Sequence, residues 1–150
     1  MQVQVTIREI VEGNFVEALR LEVKPEQKQF VASNAASIAQ SKFHTYLNCV
    51  GLYAEETMVG FSAFGKNPED GTVWIVRHMI GAEHQGKGYG NGGLRALIDH
   101  MKARFDCASI YLDVGPENEA AIKLYEHAGF VDTGEIQGKS KVFRLDLDSS

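Results

Sequence analysis

The stretch Gln85-Gly86-Lys87-Gly88-Tyr89-Gly90 lies between an apolar, strand-like run at residues 73–80 and a segment of helical periodicity at residues 94–104. Its glycines let the backbone turn tightly and approach a ligand without hindrance from side chains. The helix that follows begins with unpaired NH groups at the positive end of its dipole. We therefore interpret the stretch as a phosphate-binding loop, suited to an anion such as a pyrophosphate.

Two better-known glycine loops do not fit this sequence. In a P-loop, serine or threonine follows the lysine and binds magnesium, but Lys87 is followed by Gly88. A dinucleotide-binding G-x-G-x-x-G lies in the first strand-to-helix turn of its fold, whereas this loop lies past mid-chain, behind several predicted antiparallel strands. We therefore expect neither a P-loop enzyme nor a Rossmann domain.

Length and composition limit the fold and the class of function. With 150 residues, 44% of them hydrophobic, the chain can bury one core, and we expect a single domain spanning residues 1–150. No apolar run approaches the roughly 18–20 residues of a membrane span, and residues 1–5 alternate like a strand, so we expect no membrane insertion and a cytoplasmic location. The net charge of −5, without a basic cluster, argues against nucleic-acid binding and favours a cationic partner.

The cysteines give no sign of a metal site or a disulfide. Cys49 and Cys107 lie in apolar surroundings, with no CxxC pair and no histidine spacing suited to zinc. We expect both to be small core residues and predict no metal. A catalytic cysteine is the alternative that this pattern leaves open.

Hydrophobic periodicity and turn signals predict a mixed α/β (α+β) domain. Asn14 and Asn118 are predicted N-caps, and Gly129 is a predicted C-terminal cap. The predicted order is a strand at residues 3–7, a helix at 14–21 with Phe15, Ala18 and Leu19 on its apolar face, a second helix from Pro25 to about residue 39, strands at 49–54, 58–64 and 72–80, a helix at 94–104, a strand at 109–114, a helix at 118–128, and a hairpin at 130–136 and 141–147.

Two sequence motifs now resemble one known family. Gln85, Gly88 and Gly90 match Gln/Arg-x-x-Gly-x-Gly/Ala and resemble the acetyl-CoA pyrophosphate loop of the GNAT superfamily of N-acetyltransferases. Residues 118–130 resemble that family's asparagine-led CoA helix with its tyrosine, Tyr125, and the order of elements also matches. The resemblance implies a mostly antiparallel sheet of about seven strands with about four helices, strands four and five being splayed apart.

A narrower resemblance concerns the acceptor. Three stretches are similar to bacterial spermine/spermidine N-acetyltransferases: residues 23–34 with Ser37-Ile38-Ala39, Met58-Val59-Gly60-Phe61, and the turn at 65–71. This implies acetyl-CoA as co-substrate, a polyamine such as spermidine or spermine as acceptor, and direct transfer in a ternary complex. Homodimers are common among proteins of this resemblance. The alternatives are an amino acid, aminoglycoside or protein amine as acceptor, or a CoA-binding module without catalysis.

The resemblance also assigns roles to single residues. Tyr125 matches the tyrosine that protonates the departing CoA thiolate and is the predicted catalytic residue, with a core tyrosine as the alternative. The predicted cofactor-binding residues are His78, Met79 and Ile80 for the acetyl and pantetheine arm, Gln85, Gly86, Lys87, Gly88, Tyr89, Gly90 and Asn91 for the diphosphate, and Asn118 and Tyr125 on the CoA helix.

The general base is the role that the sequence leaves open. An alkyl amine has a pKa of about 10.4 and must lose a proton before it attacks. Polyamine acetyltransferases that use a strand-four glutamate have it at the position of Val76 here. The candidates that remain are His78, Glu22, Glu26 or a water chain, and we predict acceptor contacts for Glu22, Glu26 and Trp74, unless the N-terminal helices merely cover the sheet.

Overall fold

The computed structural model describes residues 4–147. Its elements are β1 (Thr6–Glu9), α1 (Phe15–Arg20), a 3-10 turn (Pro25–Gln27), α2 (Asn34–Phe43), β2 (Leu47–Ala54), β3 (Thr57–Lys66), β4 (Val73–Ile80), a second 3-10 turn (Ala82–His84), α3 (Tyr89–Arg104), β5 (Ser109–Val114), α4 (Glu119–His127), β6 (Val131–Gln137) and β7 (Ser140–Asp146). All strands join one seven-stranded sheet in the order β1-β2-β3-β4-β5-β7-β6. The mixed α/β fold and the predicted order of elements are confirmed.

The centre of the sheet opens into a cleft between β4 and β5. These two strands are parallel and pair at two positions, Val73 with Ile110 and Trp74 with Tyr111, while the other neighbouring strands are antiparallel. A register shift between β3 and β4 leaves Val76 as an extra, bulged residue, and a bulge of this kind bends its strand. The predicted splay of strands four and five is therefore confirmed.

The helices cover the two faces of the sheet separately. The core under α3 and α4 contains Phe64, Ile75, Leu94, Leu97, Met101, Leu112, Tyr125 and Phe143. The core under α1 and α2 contains Ala18, Leu21, Leu47, Met58, Phe61 and Met79. Burial of each larger apolar side chain contributes about 1.5–3 kcal/mol. Because β4 supplies Ile75 to one core and Met79 to the other, the cleft beside it lies between two well-packed layers.

The second helix begins later than the sequence predicted. Pro25–Gln27 forms a 3-10 turn, and α2 starts only at Asn34. The Ser33 side chain accepts a hydrogen bond from the NH of Ala36, which caps α2. The buried Asn34 amide donates to the carbonyls of Ala18 and Leu21 at 2.9 and 3.2 Å, and these contacts fix the helix start. The predicted continuous helix from Pro25 is therefore wrong, and residues 28–33 form an irregular segment.

The first helix also differs from its prediction. Asn14 occupies the N-cap position, but its side chain accepts from the NH of Val11 and makes no capping bond to α1. Of the predicted apolar face, Ala18 is buried, whereas Phe15 and Leu19 are 38% and 41% exposed. The apolar face of α1 is therefore buried only near Ala18, where Asn34 of α2 hydrogen-bonds to the α1 backbone. For the first strand, Val3 lies outside the described residues.

The helix after the glycine loop starts at Tyr89 instead of Leu94, because Gly88 adopts a φ of +86° and its carbonyl accepts from the NH of Gly92. The other C-terminal predictions are confirmed. Asn118 Oδ1 accepts from the NH of Ala121 and caps α4, and Gly129 follows that helix with a φ of +107°. β6 and β7 form the predicted hairpin.

The two cysteines are half-buried and free. Both pack beside the apolar cores, and burial raises the pKa of each thiol. A raised pKa disfavours the nucleophilic thiolate, so neither cysteine has the environment of a catalytic one. Within residues 4–147, no helix has the length and apolar character needed to cross a bilayer, and no group of side chains is arranged to hold a metal ion.

Candidate active site

The glycine loop presents a row of free backbone donors. Gly86 and Gly88 have φ values of +79° and +86°, a conformation that non-glycine residues rarely adopt. Within the described part of the chain, the NH groups of residues 86–91 have no hydrogen-bond acceptor. These donors lie at the N-terminus of α3, where the helix dipole also favours an anion. The exposed Lys87 adds positive charge, so residues 86–91 fit a diphosphate.

The side chain of Gln85 holds the base of this loop. Its Nε2 donates to the carbonyl of Ile80 at 2.9 Å and to Oε1 of Gln27 at 2.9 Å. Gln27 Nε2 donates back to Gln85 Oε1 at 3.3 Å. The loop is therefore attached both to the end of β4 and to the turn before α2.

The cleft between β4 and β5 contains a cavity of about 400 Å³, which we call the central cavity. Its wall consists of residues 29–32, 75–78 and 112–115 together with Asn118, Ala121, Tyr125 and Ser140. A smaller cavity of about 170 Å³ adjoins it and is lined by His78, Met79, Ile80, Gln85, Asn118 and Leu124, among others. The path from the glycine loop to the central cavity thus passes the strand residues that were predicted to contact the pantetheine arm.

Tyr125 lies in the wall of the central cavity. Tyr125 is part of α4, is buried, and packs edge-on against Phe130. No hydrogen-bond partner for its hydroxyl is found among residues 4–147. Burial, with the negative charge of Asp113, raises the pKa of Tyr125 to about 12. The phenol is therefore protonated at neutral pH and is free to donate into the cavity.

His78 is committed to the packing of α3. Its Nδ1 lies 2.8 Å from Oγ of Ser62, and its Nε2 lies 3.2 Å from the carbonyl oxygen of Gly90. Burial lowers the pKa of His78 to about 4, so the ring is neutral. Since a carbonyl only accepts, Nε2 carries the hydrogen and Nδ1 accepts from Ser62. Both ring nitrogens are occupied, so the His78 side chain is a poor candidate for the general base.

The structure does not bring the three predicted acceptor residues together. Glu22 lies 3.6 Å from Lys28 and lines a separate cavity of about 340 Å³ beside Met79. Glu26 is exposed and lines none of these cavities. Trp74 lies at the paired end of β4, where it stacks on Tyr111 at 5.3 Å and donates from Nε1 to Oγ1 of Thr72.

Two charged residues of the central cavity were not identified from the sequence. Asp113 and Arg77 both line it. On β5, Leu112 and Val114 point into the core, so the alternation alone could have placed Asp113 on the opposite face. Arg77 follows the bulged Val76, and this shift of register has no signal in the sequence.

Comparison with known proteins agrees with this geometry. Residues 7–130 match the Acetyltransferase (GNAT) family. The chain belongs to the GNAT family. It is therefore an acetyl-CoA-dependent N-acetyltransferase, and the glycine loop and the splayed cleft are the features of this GNAT protein that fit acetyl-CoA as co-substrate.

Individual relatives of this GNAT protein differ in their acceptors. It is 35% identical over 138 residues to the spermine/spermidine N(1)-acetyltransferase of Bacillus subtilis (strain 168), covering 88% of this chain and 91% of the relative. It is 34% identical over 104 residues to the L-amino acid N-acyltransferase MnaT of Escherichia coli (strain K12), covering 65% and 59%. The crystal structure of Vibrio cholerae spermidine N-acetyltransferase with CoA and spermine superposes with a TM-score of 0.72 at 23% identity, covering 94% and 93% of the two chains.

Proposed function

We propose that this enzyme transfers the acetyl group of acetyl-CoA to a primary amine of a polyamine such as spermidine or spermine. The observation that carries the proposal is the row of free NH groups at residues 86–91, which lies at one end of a cleft whose wall contains the protonated Tyr125. The polyamine acceptor is supported by the 35% identity to a spermine/spermidine acetyltransferase over most of both chains.

The proposed reaction is a direct transfer. The neutral amine attacks the thioester carbonyl, a C–N bond forms, and the C–S bond breaks. The electron pair of that bond leaves on sulfur, and Tyr125 donates its proton to the thiolate. The proton lost by the amine leaves through the open central cavity, whose wall carries the carboxylate of Asp113, and the Tyr125 phenolate regains a proton from the same cavity before the next turnover.

Asp113 is the residue that we assign to acceptor recognition. A polyamine carries several ammonium groups, and a carboxylate at the cavity wall attracts them. Asp113 and Tyr125 both line the central cavity, so an acceptor bound there is within reach of both side chains. A second ammonium of the acceptor then lies beside Asp113 while the reacting amine points toward the thioester.

Arg77 favours a second candidate function. It lines the same cavity, its buried Nε has no partner among the described residues, and no carboxylate lies within ion-pair distance of its guanidinium there. Arginine in this state suits an acceptor that carries a carboxylate. An amino-acid acceptor is therefore the alternative, and it agrees with the relatedness to an L-amino acid N-acyltransferase.

Release of free thiol from acetyl-CoA tests both candidates. The acceptors are spermidine, lysine, an aminoglycoside and none, each with the unmodified enzyme, Asp113→Asn and Arg77→Gln. We expect spermidine to be the best acceptor and Asp113→Asn to raise its KM about tenfold, the effect of losing roughly 1.4 kcal/mol of charge attraction. A preference for lysine that Arg77→Gln abolishes would show that the acceptor is an amino acid and not a polyamine. If the protein binds CoA but no amine releases thiol, the proposal that it acetylates an amine of these classes is wrong.

A further inference from the structure

A pair of amide side chains joins the two halves of the active site. Gln85, at the start of the glycine loop, and Gln27, in the turn before α2, exchange hydrogen bonds of 2.9 and 3.3 Å. Both side chains are half-buried. We call this pair the glutamine clasp. It connects residues that are far apart in the chain and that serve different substrates in the proposed reaction.

Each member of the clasp is fixed to its own backbone. Gln27 Oε1 also accepts from the NH of Lys24 at 3.0 Å, which closes the 3-10 turn. Gln85 Nε2 also donates to the carbonyl of Ile80 at 2.9 Å. A displacement of the loop at Gln85 is therefore transmitted to the turn through two glutamine side chains that are each hydrogen-bonded to the backbone of their own segment.

The segment next to the clasp is seated on the same junction. The NH of Ala82 donates to the carbonyl of Glu22 at 2.7 Å. A Cβ placed on Gly81 would lie 2.8 Å from Cδ2 of Leu21, so the Leu21 side chain packs directly on the backbone at Gly81. Residues 21–27 and 80–85 thus form one unit, of which the glycine loop is the continuation.

The chain beyond Gln27 builds part of the central cavity. Residues 28–33 have no regular secondary structure, and residues 29–32 line the cavity. Such a segment has no ladder of internal hydrogen bonds, so its position depends on how its ends are held. The far end is held by Ser33 and Asn34 at the start of α2. The near end is held by Gln27.

We propose that Gln27 is a positioning residue that couples the two substrate sites. Binding of the CoA diphosphate at residues 86–91 fixes Gln85, Gln85 fixes Gln27 through the clasp, and Gln27 fixes the cavity wall at residues 28–33. The amine site is thereby formed in full only when the CoA site is filled. The inference rests on the proposed use of residues 86–91, and linkage requires that the amine strengthens CoA binding by the same factor.

Amide hydrogen exchange with and without CoA tests the coupling without any turnover. In the unmodified enzyme we expect CoA to slow exchange at residues 86–91 and, about tenfold, at residues 24–33. In Gln27→Leu we expect slowing at 86–91 alone. Gln27→Glu keeps the oxygen that accepts from the NH of Lys24 and from Nε2 of Gln85, but it replaces the donor to Gln85 Oε1 by a second oxygen, which repels that atom. It should therefore preserve the turn and weaken the response at residues 24–33. Gln40→Leu removes an amide on α2 that contacts His44, the residue after the helix, and is the matched control.

The outcomes separate this inference from the proposed function. If CoA slows exchange at 86–91 but not at 24–33, or if both Gln27 variants keep the response at 24–33, the coupling does not exist although the loop binds CoA. If the response spreads as expected but no amine releases thiol, the coupling stands and the proposed acceptor chemistry falls. With an active acceptor, Gln27→Glu should raise the KM for the amine about tenfold while kcat changes less.

Discussion

The proton of Tyr125 is the residue-scale feature on which the proposed chemistry depends. Burial and the charge of Asp113 raise the pKa of this phenol to about 12, so it remains an acid across the physiological range. A high pKa by itself weakens an acid, but burial also raises the pKa of a thiol in the same cleft. The transfer of a proton from the phenol to the thiolate is therefore less opposed than the raised pKa of Tyr125 alone would indicate.

Removal of this hydroxyl should lower turnover selectively. We expect Tyr125→Phe to reduce kcat about 100-fold, within the range for loss of a general acid, while the Kd for CoA changes less than about threefold. Steady-state kinetics and calorimetry measure the two quantities. Tyr46→Phe, at an exposed tyrosine, serves as the control. Undiminished kcat in Tyr125→Phe would exclude the tyrosine from the reaction.

The buried His78 makes stability depend on pH. Its pKa is about 4 in the folded protein, below the ordinary value of 6.5, so the unfolded chain binds more protons between these two pH values. Stability from this residue is complete above pH 6.5 and decreases as the pH falls toward 4, by roughly 3 kcal/mol in all.

Urea unfolding at pH 7, 6 and 5 should reveal this residue. We expect the free energy of unfolding to fall less steeply with pH in His78→Gln than in the unmodified protein. His127→Gln, at an exposed position on α4, should retain the original slope. Equal slopes in all three proteins would mean that burial does not hold His78 neutral in the folded state.

At the scale of elements, the glycine loop and α3 together form the proposed diphosphate site. The loop provides the positive φ values of Gly86 and Gly88, and the N-terminus of α3 provides free NH groups. Gly88→Asp adds a carboxylate where the diphosphate is proposed to lie. We expect it to weaken CoA binding at least 100-fold, by charge repulsion added to the strain of a positive φ, which is about 1–2 kcal/mol for a non-glycine residue.

The strain itself has a matched control. Gly134 in β6 has a φ of +84°, close to that of Gly88, and a Cβ there would meet no atom within 4 Å. Gly134→Asp therefore adds the same charge and the same kind of strain outside the cleft. Calorimetric titration with CoA should distinguish the two variants, and equal weakening by both would remove the loop from cofactor binding.

Elements fixed by nearby residues could be predicted from the sequence. The glycine loop, α4 with its Asn118 cap, and the final hairpin depend on contacts within a few residues, and each was located correctly. The start of α2 depends on Asn34, whose partners lie in α1, and the orientation of Arg77 depends on a bulge opposite β3. Such long-range contacts leave no periodic signal, so neither the cavity wall at residues 28–33 nor the position of Arg77 could be predicted, whereas the alternation along β5 could have placed Asp113.

At the scale of the whole molecule, ligand binding should stabilise the fold. A ligand at 100 times its Kd adds about 2.7 kcal/mol to the free energy of unfolding, which for a chain of this length corresponds to a rise in Tm of roughly 5–10 °C. We expect this rise with CoA and a much smaller one with pantethine, which lacks the diphosphate. Thermal unfolding measures both, and equal shifts would argue that the row of NH groups contributes little.

The arrangement of β4 and β5 has a mechanical consequence. Two residue pairs, at Val73 and Trp74, join these strands, and beyond these pairs the two strands diverge. Trp74 and the stacked Tyr111 lie at the pivot. A small change in the angle between the strands there produces a larger change in the width of the cleft at its far end, so the packing of Trp74 on Tyr111 bears on the shape of the central cavity.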